Sequence, residues 1–284
     1  MSQIDPTDEE YLKTICESLV APREEPQLTN FKHGSLINVP APTGENIAVF
    51  IQKAENPLPS NPILLFTHGD GETIDNFFDF YTEVCPHGVS FCIMDYRGNG
   101  YSEGTAQTSS VRETEDVFTV INYLKSEGYG KISYFGRSLG ATCGIFVASK
   151  MPDLVCLALD SPMIDYKDCT IYQAKRFSGI PTEKTTELYP EACKIIKEQT
   201  GIDFLNIEQP IEAAARIKQP LFLIHGQQDQ ILPFWYSEKL IETVQSEEKI
   251  FIPFPKGHNS MAYRDILFEE MMDFILKHNG VEIE

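Results

Sequence analysis

Eight short runs of β-branched, aromatic and aliphatic residues recur along this chain, and stretches with helical spacing separate most of them. The runs begin at Ser35, Ile47, Ile63, Val89, Lys131, Leu154, Pro220 and Lys249. Short apolar runs bounded by turn-forming residues are typical of buried strands. After the first two runs, strands alternate with helical patterns. This order predicts an α/β protein with a mostly parallel eight-stranded sheet flanked by helices.

Two segments depart from the alternation. Residues 1–33 are acidic and weakly periodic, and we expect an N-terminal extension with room for one helix. Residues 161–210, between the sixth and seventh strands, are too many for a simple crossover and predict a helical cap. The aromatic residues of the cap would either line a substrate cavity or pack the cap onto the body. We find no internal repeat and no Gly/Ser-rich linker, so residues 34–284 are expected to form one domain with the cap inserted.

The charge balance argues against several classes of partner. The 284 residues include 23 Lys and Arg against 42 Asp and Glu, for a net charge of −19. A nucleic-acid-binding protein needs clustered basic residues to neutralise phosphates, and this chain has no such cluster. The longest apolar runs fall far short of the roughly 20 residues that a membrane-spanning helix needs. We expect no nucleic-acid partner and no membrane span, and the oligomeric state stays open.

The cysteines favour a reducing compartment. There are seven, scattered along the chain without a Cys-x-x-Cys pair, as is typical of reduced thiols. The N-terminal residues are acidic, whereas a secretory signal begins with a basic and then an apolar part. We therefore expect a cytoplasmic protein. The spacing of Cys85, His87 and Cys92 does not fit a zinc site, and no phosphate-binding loop is found, so neither metal nor cofactor is predicted.

The sequence Gly-Arg-Ser-Leu-Gly at 136–140 directly follows the fifth run and begins a helix of small residues. A strand, turn and helix around Gly-x-Ser-x-Gly is the context in which this motif is informative. The glycines let strand and helix approach closely, so that the Ser138 hydroxyl stands exposed above the sheet. Ser138 is the candidate nucleophile, and the alternative is a serine that only begins a helix.

A serine nucleophile needs a base, and the base needs an orienting acid. Asp229 lies in the loop after the seventh run, and His258 lies in the loop after the eighth. The order Ser138, Asp229, His258 is the chain order of the α/β-hydrolase triad. Asp160, at the end of the sixth run, is a competing acid. We favour Asp229.

The reaction also needs donors for an oxyanion. One should be the backbone N–H of Leu139, directly after the nucleophile, and the other the backbone N–H of Asp70 in the loop after the third run. The carboxylate of Asp70 is unfavourable near a developing negative charge, so its side chain should point away or be paired. His68 and His225 each precede a glycine at a strand end, and we predict that both hold turns.

Six motifs carry a family resemblance over roughly residues 35–278. They are HGDGE, DYRGNGYSEG, GRSLG, LDSP, HGQQDQILP and GHNS, in this order. The set resembles the α/β-hydrolase superfamily, more closely its serine-aminopeptidase-like (monoacylglycerol-lipase-like) serine hydrolases, and is distantly similar to eukaryotic depalmitoylases. The resemblance implies the α/β-hydrolase fold, a serine esterase, thioesterase or peptidase that works through an acyl-enzyme, and structural roles for Asp95 and Arg97.

Two features depart from that family pattern. Asp70 stands where such proteins often have Asn or Gly, and the N-terminal cysteine cluster of the palmitoyl-removing relatives is missing. Cys16 alone is a poor anchor, because stable membrane attachment takes two signals. We expect cleavage of an ester or thioester, less readily of a peptide or amide, on a small-molecule or acylated substrate. The alternative is a non-catalytic scaffold that binds a small apolar ligand or a protein partner.

Overall fold

The computed structural model describes residues 6–21, 25–27, 31–104, 108–258 and 266–283. The strands are β1 (Ser35–Pro40), β2 (Asn46–Gln52), β3 (Pro62–Thr67), β4 (Ser90–Met94), β5 (Lys131–Arg137), β6 (Leu157–Asp160), β7 (Leu221–Gly226) and β8 (Lys249–Phe254). The α-helices of the described residues are α1 (Pro6–Leu19), α2 (Ile74–Phe77), α3 (Tyr81–Val84), α4 (Val111–Ser126), α5 (Leu139–Lys150), α6 (Tyr166–Ser178), α7 (Thr182–Thr200), α8 (Pro210–Ala214), α9 (Trp235–Thr243) and α10 (Ile266–Asn279).

The strands form one twisted sheet in the order β1-β2-β4-β3-β5-β6-β7-β8. The β1–β2 and β2–β4 pairs are antiparallel, and the other pairs are parallel. The predicted fold class, a mostly parallel eight-stranded sheet with flanking helices, is therefore confirmed. Because β3 and β5 to β8 run in the same direction, the loops that follow them meet at one edge of the sheet.

Helices cover both faces of the sheet, which explains why its central strands read as continuous apolar runs. Side chains alternate between the faces along each strand. In β3, Ile63 and Leu65 face the cluster packed by α4 and α5, while Leu64 and Phe66 face the cluster packed by α3 and α10. Both faces are buried, so neither side of β3 carries the polar residues of a solvent-exposed sheet.

The layer above the sheet edge contains α1 as well as α6 and α7, the two longer helices between β6 and β7. Helix α1 packs against α6 and α7, and Leu12, Ile15 and Leu19 are its buried face. Asp8, in the acidic N-terminal segment, pairs with Lys184 of α7 at 3.0 Å. The N-terminal helix is thus built into the cap layer.

The sequence left open whether the aromatic residues of the cap line a cavity or pack the cap onto the body. Tyr166, Tyr189 and Phe204 are fully buried, and the rings of Tyr166 and Phe204 pack edge to face at 5.2 Å. Tyr166 also lines the cavity above Ser138. Most of this aromatic surface therefore packs the cap, and the Tyr166 ring both packs the cap and lines the cavity.

All seven cysteines are free thiols. Among the helices of the described residues, none combines the length and hydropathy needed to cross a membrane. Within the described ranges, no group of three or more His, Cys, Asp or Glu side chains is placed to hold a metal ion.

Phe66 provides a test of the core on the α10 face. Its ring is fully buried against the rings of Phe135, Phe77 and Phe80, with centroid distances of 4.6, 5.1 and 5.4 Å. We predict that Phe66→Ala lowers the free energy of unfolding by about 3–5 kcal/mol, because the removed ring leaves a cavity. Urea denaturation measures the change. The control is Phe177→Ala, at a ring that is 57% exposed, which should stay within about 0.5 kcal/mol of wild type.

Candidate active site

Ser138 lies on a sharp turn between β5 and α5. Its backbone has φ 51° and ψ −110°, in a region that residues with a side chain rarely adopt. The flanking glycines make the turn possible. A Cβ on Gly136 would lie 2.4 Å from the carbonyl oxygen of Gly140, and a Cβ on Gly140 would lie 2.1 Å from the carbonyl oxygen of Thr67. The strained turn lifts the Ser138 side chain above the carboxyl edge of the sheet.

Hydrogen bonds to neighbouring strands hold this turn in place. The Ser138 N–H donates to the Asp160 carbonyl oxygen at 2.7 Å, and the Gly140 N–H donates to the His68 carbonyl oxygen at 3.1 Å. From below, the buried Tyr134 hydroxyl donates to the Gly140 carbonyl oxygen at 2.7 Å. The turn is thus tied to β3, β5 and β6 at once, and these bonds offset its strain.

His258 lies between Ser138 and Asp229. Its Nε2 is 2.9 Å from Ser138 Oγ, and its Nδ1 is 2.7 Å from Asp229 Oδ2. Since an ionised carboxylate only accepts hydrogen bonds, Nδ1 carries the proton and donates to Asp229. Nε2 is then free to accept the Ser138 proton. The structure brings together the three residues that the sequence selected from loops after β5, β7 and β8.

The loop after β7 fixes the Asp229 carboxylate. Oδ1 accepts hydrogen bonds from the N–H groups of Ile231 and Leu232, at 2.8 and 2.9 Å. Oδ2 lies 3.2 Å from Nε2 of His225 in addition to its contact with His258. Burial by itself would raise the pKa of Asp229, but the hydrogen bonds to the two histidines, the His258 charge and the Leu232 amide outweigh it. The pKa of Asp229 therefore lies far below its usual range, and the carboxylate stays ionised.

His225 holds the same loop from inside the protein. The ring is fully buried, with Nδ1 2.7 Å from Ser237 Oγ and Nε2 3.1 Å from the Leu232 carbonyl oxygen. With the proton on Nε2, the ring donates toward both Leu232 and Asp229. The interpretation of His225 as a turn-holding residue missed its contact with Asp229, which only the fold of the loop creates.

Asp160, the competing acid, lies under the turn. Its side chain is fully buried, accepts a hydrogen bond from Ser161 Oγ at 2.9 Å and lies 3.9 Å from Nε of Arg137. These partners lie at the carboxyl ends of β5 and β6, whereas His258 contacts Asp229. The geometry therefore favours Asp229 as the orienting acid.

The two candidate oxyanion donors lie on either side of Ser138. Leu139 is the first residue of α5, and the first N–H groups of a helix have no carbonyl partner within it. The loop after β3 passes close by, because a Cβ on Gly69 would lie only 3.3 Å from the Ser138 Cβ. Asp70 and Leu139 both line the cavity that contains Ser138. Both predicted donors thus stay candidates on geometric grounds.

Two residues that the sequence did not single out hold the β3 loop. The Glu72 carboxylate accepts the Gly69 N–H at 2.8 Å and pairs with the guanidinium of Arg137. The Asn99 side chain donates to the Glu72 carbonyl oxygen at 2.6 Å. Arg137 occupies the variable position before Ser138 in the Gly-x-Ser-x-Gly motif. The arginine at this position was the sequence signal that could have pointed to Glu72, because a buried positive charge there requires an acidic partner.

The Asp70 carboxyl is exposed at the mouth of the cavity and yet surrounded by protein atoms. Lost hydration raises its pKa, and the Gly71 amide and His68 partly offset that effect.

The residues implied to be structural by the resemblance have structural partners. Asp95 accepts the backbone N–H groups of Ile74 and Tyr101, each at 2.8 Å. Arg97 Nε donates to Asp116 Oδ1 at 2.5 Å. Both side chains hold the loops behind the candidate site.

Several known proteins have sequences similar to this chain. Residues 59–191 match the family described as serine aminopeptidase, S33. The α/β hydrolase domain-containing protein aho-3 of Caenorhabditis elegans is 26% identical over 77% of this chain and 59% of its own length. The lysophosphatidylserine lipase ABHD12 of Rattus norvegicus is 27% identical over 74% of this chain and 53% of its own. This chain thus spans little more than half the length of these two relatives.

A solved structure gives the fold independently. The esterase Pf2001 of Pyrococcus furiosus superposes with a TM-score of 0.69 at 17% identity, over 90% of this chain and 97% of the esterase. The fold of this chain is therefore the α/β-hydrolase fold, and residues 59–191 resemble the family described as serine aminopeptidase, S33. The resemblance to the serine-aminopeptidase-like hydrolases is confirmed.

Gly140 tests how tightly the turn is built. We predict that Gly140→Ala lowers the free energy of unfolding by about 1–3 kcal/mol, because the new methyl group collides with the backbone of Thr67. Urea denaturation gives the value. Gly257→Ala is the control, since the nearest atom to a Cβ there is 3.9 Å away, and it should change stability by less than about 0.5 kcal/mol. Equal effects of the two substitutions would contradict the prediction.

Proposed function

We propose that this protein is a serine hydrolase that cleaves a carboxylic ester or thioester through an acyl-enzyme intermediate. The observation that carries the proposal is the chain of hydrogen bonds from Ser138 through His258 to Asp229, at 2.9 and 2.7 Å. Nucleophile, base and orienting acid in this arrangement are what acyl transfer requires. The strained turn at Ser138, which serves no purpose in a plain helix start, supports the same reading.

The reaction proceeds in two balanced halves. Ser138 Oγ attacks the substrate carbonyl carbon while His258 Nε2 takes its proton, and a tetrahedral oxyanion forms. The bond to the leaving oxygen or sulfur then breaks, and His258 returns the proton to the leaving group. Water attacks the acyl-enzyme in the same way, with His258 as base, and releases the acid and the free Ser138 hydroxyl.

Backbone N–H groups stabilise the oxyanion in this proposal. The Leu139 and Asp70 N–H groups are the donors in this proposal, as the sequence predicted. The N-terminus of α5 adds the positive end of a helix dipole directly behind Ser138. The Glu72 carboxylate and Arg137 act indirectly, because they hold the loop that carries Asp70.

The ionisation of Asp229 supports its role as the orienting acid. Since the pKa of Asp229 is strongly lowered, this carboxylate stays ionised throughout the working range and contributes no titration there. It therefore remains an acceptor for the Nδ1–H of His258.

An ester or thioester fits better than a peptide, because alcohols and thiols leave more readily than amines. The names of a lipase relative and an esterase neighbour are consistent with ester cleavage. The free thiols at all seven cysteines support our proposal of a reducing compartment such as the cytoplasm.

A fluorophosphonate probe tests the nucleophile. We predict one covalent adduct on the wild-type protein at neutral pH, detected by intact mass, and none on Ser138→Ala. With an activated ester as substrate, Ser138→Ala should lower kcat by roughly 10⁵- to 10⁶-fold, since only binding and the oxyanion donors remain. A folded wild-type protein that takes no probe and cleaves no small acetyl ester would favour the non-catalytic scaffold instead.

A matched pair of substitutions separates the two acids. We predict that Asp229→Asn lowers kcat by about 10⁴-fold, because the amide no longer fixes the tautomer of His258. Asp160→Asn should leave kcat within about tenfold, and its cost should appear as a lower thermal midpoint, since a buried charge near Arg137 is lost. Steady-state kinetics and thermal unfolding of both variants distinguish the roles. The reverse pattern would assign the acid to Asp160.

A further inference from the structure

The cavity above Ser138 is closed on one side by the N-terminal helix. It measures about 160 Å³, and its walls include Leu139 of α5, Tyr166 of α6, and Glu17, Ser18, Leu19 and Ala21 at and just after the end of α1. The sequence predicts that this segment is an extension outside the domain. In the structure it is a wall of the candidate site.

The inner part of the cavity is largely apolar, and its mouth is polar. Leu19, Cys169 and Leu232 line the inner part and are almost fully buried. The buried Thr142 and Thr170 also line it, and their hydroxyls donate to the carbonyl oxygens of Ser138 and Tyr166. Glu17 and Asp70 line the mouth and are exposed. An apolar inner surface suits the hydrocarbon part of an acyl group, while a polar, solvent-accessible mouth suits the departing alcohol or thiol.

A strained loop holds the α1 wall in position. Ser109 Oγ donates hydrogen bonds to the carbonyl oxygens of Leu19 and Ser18, at 2.9 and 3.3 Å. Ser109 and Ser110 have positive φ values of 49° and 82°, and the Ser110 hydroxyl bonds that of Tyr166 at 2.9 Å. Two consecutive strained residues persist only where the surroundings fix them. The loop therefore joins the end of α1 to the inner wall of the cavity.

Helix α1 is itself anchored in the core. Leu12 and Ile15 belong to the same buried cluster as the α6 and α7 side chains they contact, and Asp8 pairs with Lys184. The wall at Leu19 is thus fixed by packing and by hydrogen bonds, so that a long acyl chain cannot displace it without breaking both.

The size of the cavity limits the acyl group. A protein cavity of about 150 Å³ holds one benzene molecule, which has six carbons. We infer that the C-terminal turn of α1 forms the end wall of the acyl pocket, that the protein takes short-chain acyl groups of about two to six carbons, and that Leu19 sets this limit. The inference rests on the proposed function, because it names the substrate class of the same site.

The inference predicts how a change at Leu19 alters chain-length preference. Leu19→Ala removes three side-chain carbons and opens room for two or three more methylene groups. Leu19→Phe adds bulk at the same place and should restrict the pocket to acetyl and propionyl groups. Each methylene that a rigid apolar pocket rejects changes kcat/KM by roughly tenfold or more.

The experiment measures kcat/KM for p-nitrophenyl acetate, propionate, butyrate, hexanoate, octanoate and decanoate. For wild type we expect a maximum at butyrate or hexanoate and a value for decanoate at least about tenfold lower. In Leu19→Ala the maximum should move to octanoate or beyond, and in Leu19→Phe it should move to acetate or propionate. Thermal unfolding of each variant confirms that it is folded.

Leu12→Ala is the matched control. Leu12 lies two turns earlier on the same buried face of α1, and it is not one of the residues that line the cavity. This variant should keep the wild-type profile although it loses similar packing. A wild-type maximum at decanoate, or identical profiles for Leu19→Ala and Leu12→Ala, would overturn the inference while the hydrolase proposal stands. Absence of both ester cleavage and fluorophosphonate labelling would instead refute the proposed function, and the inference with it.

Discussion

The backbone contact between α5 and β3 is the constraint on which the rest of the site depends. Gly140 lies so close to Thr67 that no side chain fits between them, and its N–H bonds the His68 carbonyl oxygen at 3.1 Å. This contact places the nucleophile turn beside the loop after β3 that carries Asp70. One close approach thus fixes the distance between the nucleophile and a candidate oxyanion donor, and it requires glycine for steric reasons.

Charge is organised around this contact in two separate groups. Under the turn, the Arg137 guanidinium pairs with Glu72 and lies near Asp160. The pair with Glu72 holds the loop after β3 that carries Asp70. Beside the turn, Asp229 is fixed by backbone amides and by His225, so that it presents one oxygen to His258. The first group holds the turn and the loop after β3, while the second contacts His258. The two acids at neighbouring strand ends therefore have different partners.

The cap layer combines parts that lie far apart in the chain. Helix α1 packs against α6 and α7, and the strained loop at Ser109 ties its end to the cavity wall. The cavity above Ser138 is thus lined by the N-terminal segment as well as by the inserted helices. In the proposed hydrolase, the sheet edge would supply the catalytic residues and the layer above it the shape of the pocket.

Local rules in the sequence determined the strand runs, the nucleophile turn and the chain order of Ser138, Asp229 and His258, because apolar periodicity and glycine sterics act over a few residues. The runs correspond to the eight strands of the residues that the structure describes. The tertiary structure decided which acid faces His258, that Glu72 pairs with Arg137, and that Leu19 lines the cavity. Those contacts join residues tens of positions apart or more, or they depend on loop conformation. Their distances follow from how helices and loops pack on the twisted sheet, and no local sequence pattern encodes that packing.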